Sequence, residues 1–135
     1  MKRIPFLLFL CLAISAISSC SKTINVREEY VAIYSVTETW TENGKTLSKP
    51  IYSMPIYKST IDNSLLLLNN FGNYGAGVTA EAIVNGSSIT IPQQSLPNSI
   101  SIIGAGTLAG TTLTFNYTET FNGFTISVST VAKMK

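Results

Sequence analysis

Three Asn-Gly pairs limit what this chain can become. Asn43-Gly44, Asn85-Gly86 and Asn122-Gly123 each lie between short runs rich in β-branched and apolar residues. Asn-Gly between such runs is the strongest short-range hairpin signal, because a type I′ turn needs positive φ at both central residues. The stretch Leu65–Gln94 shows the rhythm whole: LLLL, then VTAEAIV, then ITI, parted by a Gly/Asn-rich loop and one Asn-Gly pair. Runs this short, broken by Gly, Asn and Ser, read as strands joined by tight turns.

Along the chain these signs predict about eight strands. Tyr30–Thr41 alternates at its end and reads as a long strand. In Thr46–Ile61, Pro50 and Pro55 each remove a backbone donor, so this strand is interrupted or lies at an edge. Leu65–Leu68 is too short for a stable helix and reads as a strand. Phe71–Gly77 is a loop, and Val78–Val84 alternates, with Val78, Ala80, Ala82 and Val84 on one face. Ile89 and Ile91 share a face of the next strand, which Pro92 is expected to end. Gly104 and Gly106 in Ile100–Thr107 suggest a bend or bulge. Leu113, Phe115 and Tyr117 oppose Thr112, Thr114, Asn116 and Thr118, and then Phe124, Ile126 and Val128 oppose Thr125, Ser127 and Ser129. The fold class is therefore all-β. Eight antiparallel strands joined by tight turns form an up-and-down barrel, whose closure removes exposed edges. A two-sheet sandwich is the alternative.

The N-terminus reads as an export signal. Lys2 and Arg3 precede Phe6–Ile17, an apolar run too short to span a bilayer, and small residues follow. Ile17-Ser18-Ser19-Cys20 resembles the bacterial lipobox, which implies cleavage before Cys20 and lipid on its sulfur and new amine. Cys11 does not match, because Phe9-Leu10 before it is too bulky. An ordinary cleaved signal is the other reading. Without residues 1–19 the nine Lys and Arg become seven, equal to the seven Asp and Glu. The basic balance thus belongs to targeting, and no basic patch points to nucleic acid. Cys20 is then the only Cys, so no internal disulfide is expected. Ser21–Glu29 lacks apolar periodicity and reads as a flexible tether, with the barrel domain expected over 30–135. Ser21-Lys22-Thr23 does not match the acidic surface-export run that some lipoproteins of the Bacteroides group carry after the lipidated Cys. The expected place is the outer membrane, on its periplasmic side ahead of the cell surface.

The chain lacks the side chains most catalysis needs. It has no His, which excludes Ser-His-Asp and Cys-His nucleophilic sites and Cys/His metal sites. Paired carboxylates would have to face one cleft. Glu38 and Glu42 lie near a hairpin end, and Glu81 and Glu119 are read on the polar face of their strands, so all four read as surface charge. Gly72-Asn73-Tyr74-Gly75-Ala76-Gly77 precedes a strand, not the helix a phosphate loop must open. No catalytic residue, metal ligand or cofactor is predicted. The aromatics read mainly as core. Trp40 and Tyr74 can still grip a ligand at a barrel mouth, each joining an apolar face to a polar tip. Gly72, Gly75 and Gly77 would let the loop move over that mouth. Ala80 and Ala82 would leave space beneath it. The expected role is a non-enzymatic binding module for a small apolar ligand or an envelope component. The alternative is an envelope protein that holds another protein by a strand edge or by the Phe71–Gly77 loop.

One resemblance supports this reading. Leu67-Leu68-Asn69-Asn70-Phe71-Gly72, Val78–Val84 with Asn85-Gly86, Ile89-Thr90-Ile91-Pro92-Gln93-Gln94, Ile103-Gly104-Ala105-Gly106 and Leu113-Thr114-Phe115-Asn116-Tyr117 occur in that order. The series resembles the small lipocalin-like lipoproteins of the Bacteroides group and covers Tyr57–Tyr117. The resemblance implies a calycin-like barrel on a lipid anchor, and it carries over no functional residue.

Overall fold

Two of the three Asn-Gly pairs turn as their chemistry requires. Asn43 and Gly44, and Asn122 and Gly123, all have positive φ, the type I′ signature. At Asn85-Gly86 the turn is shifted by one residue. Asn85 stays in its strand and Gly86 alone takes positive φ, as in a type II′ turn.

A computed structural model describes residues 25–135. The segments read as a signal and a lipobox, with Cys20, lie outside these residues. The nine strands are β1 Ala32–Glu42, β2 Lys45–Ser48, β3 Tyr52–Lys58, β4 Leu65–Asn69, β5 Thr79–Asn85, β6 Ser88–Leu96, β7 Ile100–Ala109, β8 Thr112–Phe121 and β9 Phe124–Met134. Every neighbour pair is antiparallel, and β1 also pairs with β9 from Tyr34↔Met134 to Trp40↔Val128. That pairing closes an eight-stranded, lipocalin-like up-and-down barrel of β1 and β3–β9. The ninth strand, β2, extends the upper part of β1. The irregular Thr46–Ile61 segment is thus two strands broken around Pro50. Pro55 is accommodated because β3 pairs with β4 only from Ile56 to Lys58, so the missing donor sits where that ladder has ended.

Eight strands leave an interior just wide enough for side chains, and side chains occupy it. Tyr30, Tyr34, Met54, Ile56, Leu66, Leu68, Phe71, Ile89, Ile91, Ile102, Phe115 and Tyr117 are all essentially fully buried. The alternation in β5 and β8 is as read from the sequence, with Ala80, Ala82, Leu113, Phe115 and Tyr117 facing in. Phe124 is a correction. It has the inward parity but sits at the rim, 80% exposed, because β9 runs past the core there.

Two strand features sharpen the expectation. Pro92 does not end β6. The register shifts between Ile91 and Gln94, and the Gln94 side chain replaces the lost ladder bonds. Its Oε1 accepts from Glu81 N–H at 2.8 Å, and its Nε2 donates to the Glu81 carbonyl at 2.9 Å. Gly104 and Gly106 leave the β7–β8 ladder continuous, and the expected bulge lies on the other side of β7, where the β6–β7 register shifts just past Ile91↔Gly104. They face Tyr117 and Phe115 across the β7–β8 ladder, where a Cβ would come within 2.6 Å of Tyr117 Cβ and 2.3 Å of Phe115 Cβ. Glycine here lets the wall lie against two large inward rings.

The lower end, where the described chain begins, is closed by a 3₁₀ turn, Val26–Tyr30. The segment read as a tether up to Glu29 is therefore folded from Asn25 onward. Arg27 is buried, and its Nη1 donates to the carbonyls of Ser59, Asp62 and Leu65 at 3.3, 3.0 and 3.1 Å. Tyr30 donates its hydroxyl to the Gly86 carbonyl at 3.1 Å.

Candidate functional site

The upper end holds the two buried carboxylates of the interior, Glu38 and Glu119. β1 alternates Tyr34, Val36 and Glu38 inward, and all three are fully buried. Buried carboxylates need partners. Glu38 Oε1 accepts from the Tyr52 hydroxyl at 2.8 Å and from the Tyr117 hydroxyl at 3.1 Å. Its Oε2 lies 3.2 Å from Lys49 Nζ, an ion pair without hydrogen-bond alignment. Lys49 Nζ also donates to the Gly72 carbonyl at 2.8 Å and stands 4.6 Å from the centre of the Tyr74 ring. The Tyr74 hydroxyl donates to Glu119 Oε1. Glu119 is only 9% exposed, and its Oε2 has no hydrogen-bond partner.

These two acids correct the sequence reading, which put both on the surface. A signal was present: Glu119 continues the inward series Leu113, Phe115, Tyr117, and Glu38 continues Tyr34, Val36. Glu81 is exposed, as expected. Burial, then the Glu38 charge, pushes the Tyr52 and Tyr117 hydroxyls far above their ordinary range. Burial, then the hydrogen bond to Glu119, does the same to Tyr74. All three hydroxyls stay protonated and act as donors to the carboxylates.

The Gly-rich connection is a latched lid. Phe71 is fully buried, with ring centroids 4.8 Å from Tyr117 and 6.0 Å from Phe115. Asn70 takes the left-handed region, donates Nδ2 to the Ser53 carbonyl at 2.8 Å and accepts from Gly75 N–H at 2.8 Å. Asn69 Nδ2 donates to the Ala76 carbonyl at 2.7 Å. The loop expected to move over the mouth is instead tied down at both flanks, and its aromatic anchor occupies the mouth.

The four candidate ligand residues separate. Trp40 and Tyr74 do share the upper end, because Lys49 touches both Glu38 and Tyr74, and Trp40 lies two residues above Glu38. Tyr74 turns to Glu119. Ala80 and Ala82 are fully buried opposite Leu68 and Leu66, inside the packed wall. Trp40 alone lines a hollow, about 400 Å³ in volume, with Thr39, Thr41, Thr46, Thr125, Ile126, Ser127 and Ser129. The hollow lies at a fork. β1 pairs with β9 as far as Trp40↔Val128 and with β2 from Thr39↔Ser48 to Glu42↔Lys45, so beyond Trp40 it keeps only β2 while β9 continues with β8. Volumes of this size suit small molecules. A second, more open hollow lies on the outer wall over Gly104, beside Ile103, Ala105 and Asn116. Among the described residues no group of three or more His, Cys, Asp or Glu side chains is placed to hold a metal ion. No family model matches the chain, and no curated protein matches it.

Proposed function

We propose that this protein is a lipid-anchored lipoprotein of a bacterial envelope whose barrel serves as a non-enzymatic binding module. Ile17-Ser18-Ser19-Cys20 behind a short apolar run supports the anchor, as does the likeness to the lipocalin-like lipoproteins of the Bacteroides group. The periplasmic side of the outer membrane fits the absence of an acidic run after Cys20. The hollow at Trp40 carries the binding reading. The interior is filled and its upper mouth latched, and of the two outer hollows, each about 400 Å³, the one at the fork is the more enclosed. Its lining suits an amphipathic ligand: one apolar face for the indole and Ile126, and polar groups for the six Thr and Ser side chains.

Trp40 is the only Trp, so its fluorescence reports the site directly. Titration with a fatty acid and with alkyl glycosides is expected to give a saturable change with one of them, lost in Thr46→Leu. No saturable change with any probe would overturn the site. Cys20→Ala is expected to release the protein from membranes or leave an uncleaved precursor. Unchanged fractionation and N-terminal mass would rule out lipidation.

The free edge of β2 favours a second reading. β2 pairs only with β1, and all four of its residues are exposed. An unpaired edge can accept a strand from another protein. A photocrosslinker at Leu47 is expected to give a discrete adduct in intact cells if that reading holds.

A further inference from the structure

The folded start of the domain shortens the link to Cys20. Only Ser21, Lys22, Thr23 and Ile24 separate Cys20 from Asn25. Five fully extended residue steps reach at most about 18 Å. A lipid on Cys20, which rests on the anchor reading above, would thus hold the lower end close to the bilayer.

That end carries an unpartnered apolar face. Val26 and Val31 flank the entry turn, Ile33, Tyr57 and Ile83 point outward from the lower parts of β1, β3 and β5, and Ile61 projects from the β3–β4 loop, 95% exposed. The face is continuous across neighbouring strands, because β3 lies between β1 and β4, and β4 beside β5. The entry turn packs against β3 and β5, so the chain leaves the domain beside this face. Leu47, Ile51, Phe121 and Phe124 are also exposed, but at the upper end, and Ile103 and Val131 on the wall away from the entry turn. β1 alone runs 11 residues, roughly 36 Å at about 3.3 Å per residue. Even with the usual barrel tilt, the upper rim lies beyond the reach of the link.

We propose that this lower face docks on the lipid bilayer, seating Ile61 and its apolar neighbours in the interfacial region. Acids Glu28, Glu29 and Asp62 flank the face together with Lys58 and Lys135, the last bonded through its backbone N–H to the Ile33 carbonyl, so neither sign dominates, the contact is apolar and zwitterionic lipid suits it. Docking turns the Trp40 fork and the free edge of β2 away from the membrane.

The test uses the lipidated full-length product carrying Ile61→Cys or, separately, Phe124→Cys, each labelled with a fluorophore. The protein is reconstituted in phosphatidylcholine vesicles containing a lipid-borne quencher. Quenching is expected to be several-fold stronger at position 61 than at 124, and to fall toward the 124 value when Ile33→Asp is added. The same comparison with an N-terminal His tag replacing residues 1–20, held by a nickel-chelating lipid, reads the face independently of Cys20. Equal quenching at the two positions in both formats overturns the docking face. A detergent-solubilised dimer that shields position 61 does so too, by assigning the face to a second copy. Strong quenching at 61 with the nickel tether, together with an unmodified Cys20 by mass, sinks the anchor reading and keeps the docking face.

Discussion

The two ends of the barrel are closed by the same parts in different chemistry. Each uses a short 3₁₀ turn, a large buried aromatic ring and one long cation. At the lower end Arg27 meets neutral acceptors: three carbonyls and the side-chain oxygens of Asn25 and Asn63, at 3.4 and 3.3 Å. A guanidinium has five donors in a rigid fork, so one side chain can satisfy a whole loop of carbonyls. At the upper end Lys49 meets one carbonyl and one carboxylate, and three tyrosine hydroxyls serve the acids. Glu119 Oε2 is left without a donor there. Buried polar networks that are partly satisfied cost stability relative to fully satisfied ones. The lower end is thus the firmer closure and the upper end the more easily opened one.

The largest effect should come from the upper plug. Phe71→Ala should cost about 3–5 kcal/mol of unfolding free energy, the usual range for a buried aromatic. A loss below about 1 kcal/mol in urea unfolding would mean that the lid is not part of the cooperative unit. Arg27→Met should cost about 2–3 kcal/mol, since it leaves partly buried carbonyls without their charged donor. Arg27→Lys should recover little, because a single ammonium cannot span that set of acceptors. Full recovery by Lys would remove the contrast between the two ends.

Alkaline pH tests the tyrosines. Their folded-state pKa values are raised above the ordinary 10. The folded chain therefore keeps protons that the unfolded chain releases. Stability is complete below pH 10 and falls above it, by about 1.4 kcal/mol per pH unit for each such hydroxyl. Tyr34 near the lower end is pushed up to about 12 by burial and by Tyr30, so its share of the loss ends near there. Tyr52→Phe should remove one such slope, with no end point near pH 12. An unchanged slope in urea midpoints between pH 10 and 12 would show that Tyr52 is not held protonated. The smallest effect is a control on the wall: Thr114→Ala, on the exposed side of β8, should stay within about 0.5 kcal/mol.

Much of the wall was legible from local chemistry. Asn-Gly marked three turns, and alternation marked the inward rows of β5 and β8. Glu38 and Glu119 were legible in principle, by parity, but a carboxylate's solvation preference argues against placing it inside. What offsets that preference is a set of partners distant in sequence. Tyr117 lies 79 positions from Glu38, and Tyr74 lies 45 from Glu119. Trp40 could be singled out by its type. The fork beside it could not, because it depends on where β1 stops pairing with β9.

By itself the sequence determined the strand rhythm, the turns, the all-β class and the inward side of most strands, because these depend on neighbours one to four residues apart. Only the tertiary structure decided that β1 closes on β9, that Gln94 stands in for the ladder bonds lost at Pro92, and that Gly104 and Gly106 make room for rings. It also decided that Arg27 belongs to the domain and that two acids are interior. Each of these outcomes is set by a contact between positions well apart in the chain, and such contacts exist only after the barrel has closed.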